Sequence, residues 1–131
     1  MRTKLAMALF ATATVSILSA SPATNLTGNW TGEVKGRDGG TGQVRVVLRQ
    51  DGGTISGTAG PIDKKNPGRI YDANLQGEHL TFAADDTDET TGLKLTYRFD
   101  ITVIGDRMQG TAHGRSGDRS WTLDIALARE K

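Results

Sequence analysis

The chain contains no cysteine, so no disulfide can staple the fold, and neither thiol chemistry nor a cysteine-bearing zinc site is available to it. Histidine occurs only at His79 and His113, and the two are not spaced as paired metal ligands. Proline occurs three times, with no proline-rich or long charged run that would mark a linker, so a second, tethered domain is not expected. Neither sign of charge dominates, with 16 Lys and Arg against 15 Asp and Glu. That balance gives nucleic acid or an anionic membrane surface no particular purchase. Nowhere does a sustained apolar stripe recur at helical spacing, which leaves little basis for helix.

The long charge-free apolar run is at the N-terminus. Arg2 and Lys4 precede residues 5–18, and the small residues Ser19-Ala20-Ser21-Pro22-Ala23 follow. This is the pattern of a secretory signal peptide, with cleavage expected after Ala20 or Ala23. The run is too short and too rich in Ala and Thr for a membrane span, and with no cysteine behind it no lipoprotein anchor is expected. Residues 1–23 are therefore read as a signal peptide and 24–131 as a single domain, secreted or periplasmic. Without Arg2 and Lys4, 14 basic side chains face 15 acidic ones.

In the remainder, glycine clusters beside Thr, Asp and Asn punctuate short runs that alternate apolar and polar residues. Eight strands are predicted, at 28–35, 43–50, 54–60, 69–76, 79–84, 93–103, 107–113 and 120–129. The sixth is the clearest, with Leu93, Leu95, Tyr97, Phe99, Ile101 and Val103 alternating with Lys94, Thr96, Arg98, Asp100 and Thr102. By the same parity Trp30, Val46, Phe82, Met108 and Ile125 turn inward, as do Tyr71, Ala73 and Leu75 of the fourth strand. The fold class expected is all-β, an eight-stranded antiparallel up-and-down meander closed into a barrel. Connections two, four and six are short, while one, three, five and seven are longer (36–42, 61–68, 85–92 and 114–118). Alternate connections of a meander share an end, so one tight end and one mouth ringed by four longer loops are expected.

Leu26-Thr27-Gly28-Asn29-Trp30 at the first strand and Arg129 at the end of the last resemble the calycin group: lipocalins, avidins and small secreted protease inhibitors. The resemblance implies that Trp30 plugs the closed end beneath the Arg129 guanidinium. Avidin-like features stop at Gly57-Thr58, where Ala59 replaces that family's tyrosine and most of the later tryptophans are missing, so biotin is not expected.

Tyr71 and Trp121 each begin a strand on the mouth side, and a large ring with a polar tip suits the border between cavity and water. They are the candidate ligand-binding residues. The same parity would also make them ordinary core side chains. The acidic segment Asp85, Asp86, Asp88 and Glu89 lacks the spacing of a calcium loop, and Lys64, Lys65 and Arg69 on another mouth loop could balance it. His113, Ser116 and Asp118 lie close in sequence, but a triad also needs spatial order and an oxyanion hole. No enzyme, metal or cofactor is expected. The expected function is binding of a small, partly apolar molecule at the long-loop end. The alternative is a filled barrel whose loops contact a protein partner, as in calycin-like protease inhibitors.

Overall fold

In the computed structural model, residues 25–131 are described; the expected signal peptide lies outside them. Eight antiparallel strands run β1 (Gly28–Gly36), β2 (Thr41–Asp51), β3 (Thr54–Pro61), β4 (Gly68–Gln76), β5 (His79–Thr87), β6 (Lys94–Ile104), β7 (Arg107–Ser116) and β8 (Arg119–Arg129). They pair in sequence order, and β1 also pairs with β8, from Trp30 opposite Arg129 to Gly36 opposite Leu123, closing the barrel.

Four hairpins turn on two residues: Gly52-Gly53, Gly77-Glu78, Gly105-Asp106 and Gly117-Asp118. The first residue of each is a glycine with φ between 59° and 63°. Glycine with positive φ in the first central position is what a type II′ hairpin requires. The fourth of these turns corrects the expected loop at 114–118. Strands β7 and β8 extend through that region, so three longer loops surround the mouth rather than four. The acidic loop shrinks as well. Strand β5 continues to Thr87, and the turn is confined to residues 88–93, where Asp88 Oδ1 accepts from Thr90 N–H at 2.9 Å. Leu93, expected at the start of the sixth strand, sits in that turn and is exposed.

The core is built in rows across neighbouring strands. One row joins Leu80, Ile101, Gly110 and Ile125; the next joins Phe82, Phe99, Ala112 and Leu123. Phe82 and Phe99 stack with ring centroids 4.5 Å apart. Val103, Met108 and Leu127 complete the packing towards the tight end. Trp30 is fully buried there, and Nε1–H donates to the carbonyl of Leu26 at 3.0 Å. The Arg129 guanidinium covers the indole, 4.3 Å from its centroid. It also donates to the carbonyls of Thr27 (2.6 Å) and Asn25 (2.8 Å) and to Asp106 Oδ1 (2.9 Å). Residues 25–27 thus form a strap across the tight end, with the buried Leu26 beneath it.

The wall is uneven. Strands β3 and β4 share only two register pairs, Thr58–Arg69 and Ala59–Gly68. Beyond them β4 carries a bulge between Tyr71 and Asn74, with Asp72 at φ 55°. Two residues there oppose the single Phe82 of β5, which bends the strand out of the ladder.

Candidate functional site

The interior is solid in its tight half and hollow in its mouth half. A cavity of about 190 Å³ opens at the mouth. Its apolar wall comes from Val34, Val46, Ala59, Phe99, Ala112 and Leu123, and Gln43, Asp86 and Tyr97 bring polar groups to it. The small inward residues Gly42, Ala59, Ala84 and Ala112 create the space, because their neighbours in the rows stand on a wall already closed by the ladder. Lined mainly by carbon, with a few polar groups, it has the make-up of a small-molecule pocket.

Tyr97 is the central polar residue. It is half-buried, with its ring centroid 6.3 Å from that of Phe99 and 6.0 Å from that of Trp121, the latter pair T-shaped. Register explains the Trp121 contact, since Tyr97, Gly114 and Trp121 lie opposite one another across three strands. A Cβ on Gly114 would come within 2.4 Å of the indole. Glycine at that position is therefore what lets the Trp121 ring lie across β7 towards Tyr97. Burial pushes the Tyr97 phenol above its ordinary pKa, and the carboxylates of Asp86 and Asp88 push the same way.

Asp86 lies on the same parity as Phe82 and Ala84 and turns its carboxylate to the rim. Lys64, from the loop of residues 62–67, reaches across and donates to Asp86 Oδ1, which also accepts from Thr87 N–H at 2.8 Å. The base of that loop is held by Ile62 N–H to Gln43 O and Lys64 N–H to Pro61 O, both 3.0 Å. The hydrogen bond to Asp86 holds the Lys64 pKa above its usual value against the opposing effect of burial.

Comparison with protein-family models, with curated proteins and with solved structures found no match.

Of the two candidate ligand-binding residues, Trp121 lies half-buried at the mouth end of β8 but does not itself line the cavity. It flanks the cavity through Tyr97 and also borders a shallow outer groove with Arg37, His113 and Arg119. Tyr71 does not face inward. It is 40% exposed on the outer wall, and its hydroxyl donates to Asp85 Oδ1 at 2.8 Å. The bulge supplies the reason: the extra residue reverses the alternation, so Ile70 faces the core before it while Ala73 and Leu75 do so after it. The two residues are not brought together. Asp85, facing outward, is fixed by Tyr71 and by Lys94 Nζ at 3.2 Å. His113 Nδ1 lies 3.1 Å from Thr122 Oγ1 on the outer wall. Among the described residues, no three His, Asp or Glu side chains gather as a metal centre would need.

Asp86 and Tyr97 were not singled out as site residues by sequence reasoning. The odd-numbered alternation of the sixth strand already turned Tyr97 inward. Parity from Leu80 through Phe82 would have done the same for Asp86, had the strand been extended through its charges.

Proposed function

We propose that the protein is an exported, non-enzymatic, calycin-like barrel that binds one small, partly apolar molecule through its mouth. A single observation supports this reading. The barrel is filled with Phe82, Ile101, Val103 and Met108 in one half and left with about 190 Å³ of apolar space in the other. Unfilled apolar space forfeits packing energy, and here it lies where the longer loops are, beside a phenol and a carboxylate. Apolar cavities of about 150 Å³ accept benzene, so the matching ligand is a single ring or short branched chain with one polar end. In this reading the protein works in the periplasm or outside the cell, and Trp30 and Arg129 serve only the scaffold.

An environment-sensitive apolar dye of one or two rings should gain emission with the folded protein, and small apolar congeners should compete for it. Trp121→Ala, which removes the edge support of Tyr97, should weaken binding several-fold. Tyr71→Ala on the outer wall and Glu78→Gln at the tight end should leave it unchanged. Absence of binding by any probe, together with a bare mass for protein isolated from its own host in native mass spectrometry, would favour a role in contacting another protein.

A further inference from the structure

We propose that the ligand carries an ammonium group, which takes the place of Lys64 on Asp86, so that Lys64 is a built-in competitor for the rim carboxylate. This rests on the binding reading above and specifies its ligand class: a primary or secondary amine on a small aromatic or branched apolar body.

Three features of the rim support it. First, the carboxylate is part of the rigid wall, whereas its cationic partner is not. Asp86 projects from a ladder position of β5, opposite Leu95 of β6. Lys64 projects from a connecting loop on a four-carbon stem, and the backbone hydrogen bonds that hold that loop involve Gln43 and Pro61 rather than Lys64's side chain. Releasing the Lys64 ammonium therefore disturbs no strand, and a lysine head is readily hydrated once freed.

Second, Asp86 sits on an acidic hairpin whose one lysine, Lys94, is paired with Asp85 on the outer wall. Asp88 and Glu89 follow on the same hairpin, and Glu89 acts on Lys64 electrostatically, as Asp88 does on Tyr97. An anionic ligand that drew Lys64 away would leave Asp86 unpaired beside Asp88, in a partly desolvated rim. A cationic one leaves no charge unpaired in the rim.

Third, the acceptor groups suit an ammonium. Both contacts to Asp86 fall on Oδ1, and among the described residues Oδ2 has no hydrogen-bond partner. The Tyr97 ring, T-shaped against Trp121, borders the same cavity as Asp86. An ammonium at the rim would then meet a carboxylate oxygen and an aromatic ring while its apolar body fills the space between Val46, Ala59 and Phe99.

The test is a calorimetric titration with three molecules of one shape: phenethylamine, ethylbenzene and hydrocinnamate. Phenethylamine should bind wild type more tightly than ethylbenzene. Removing the competitor with Lys64→Ala should tighten phenethylamine roughly tenfold or more, the scale of one charge-assisted hydrogen bond, and leave ethylbenzene within about twofold. Asp86→Asn should cancel the amine preference while ethylbenzene still binds, which also shows that the variant is folded. Equal responses of amine and hydrocarbon to Lys64→Ala would overturn the ammonium assignment and leave the binding reading intact. So would hydrocinnamate binding tightest and depending on Lys64. Failure of all three molecules to bind wild type and Lys64→Ala would instead overturn the binding reading itself.

Discussion

Replacing Ala59 by leucine puts three more carbons into the mouth-side space, and the sign of its effect on stability reports whether that space is empty. Ala59 is buried on β3 between Val46 of β2 and Gly68 of β4, and it lines the cavity. Gly68 carries no side chain, but the place of one is taken by the Asp85 carbonyl, so the added carbons must enter the cavity itself. If the added carbons enter a void, each gains up to about 0.8 kcal/mol on leaving water, for a total near 2 kcal/mol. Forced into a packed core, they would instead cost about 1–3 kcal/mol in displaced neighbours. With allowance for one lost rotamer freedom, the expected net gain is about 1–2 kcal/mol. For a domain near a hundred residues that raises the thermal midpoint by roughly 4–16 °C. The assay is paired: urea or thermal unfolding of both proteins, and dye titration of both. Stability should rise while dye binding falls at least tenfold, the exchange expected where space is kept for function rather than for folding. A lowered midpoint with unchanged dye binding would refute the cavity argument at its base.

Trp30→Ala should destabilise the domain by about 3–5 kcal/mol in urea unfolding, as large buried aromatics do, and Arg129→Ala by about 1–2 kcal/mol. An Arg129→Ala cost equal to that of Trp30→Ala would show that the guanidinium, not the indole, holds the tight end. Tyr97 (burial first, then Asp86 and Asp88), Tyr71 (the hydrogen bond to Asp85) and Lys64 (the hydrogen bond to Asp86) all have folded pKa values above their ordinary ones. Their contributions are complete below the unfolded values near 10 and are lost as pH rises through the raised folded values. Thermal midpoints should therefore fall above about pH 10, with Tyr97→Phe flattening the decline; an unaltered profile in that variant would refute the assignment. Asp85 behaves oppositely. Burial disfavours its carboxylate, but hydrogen bonds from Tyr71, Lys94 and Thr96 prevail and lower its pKa. Its contribution is present above the unfolded value and lost as pH falls through the folded one, so Tyr71→Phe, which removes one of those bonds, should be less stable near neutrality yet converge with wild type in thermal midpoint as the pH is lowered.

Most of the barrel was legible in the sequence because the alternation of side chains is a local property and closure adds no new period to it. Leu95 to Val103 on β6 and Leu123 to Leu127 on β8 kept their parity through the whole wall. Trp30 and Arg129 met as the calycin resemblance implied, since closure makes the first and last strands neighbours. The misreadings have local causes. Tyr71 lies beside a bulge, and a single extra residue reverses the face of a strand without leaving a mark in composition. The acidic end of β5 was read as loop because Asp is a poor strand former, but Lys64, Lys94 and Tyr71 offset those charges from elements distant in sequence. The cavity was half legible. Inward Gly and Ala residues signalled space, while which half of the barrel would be empty depended on where Phe82, Phe99 and Met108 met in three dimensions.

The tie between Arg129 and the strap has a consequence for how the molecule is made. Each of the seven hairpins joins neighbours in sequence, but the bonds from Arg129 to Thr27 and Asn25 span 102 and 104 positions. Trp30 cannot be covered until residue 129 is available, so a chain emerging from its N-terminal side remains an unclosed ladder until the end of β8 appears. Contacts of such long range are also the slow ones to form. Under the exported reading proposed above, late closure would keep the chain threadable and confine the finished barrel to the far side of the membrane.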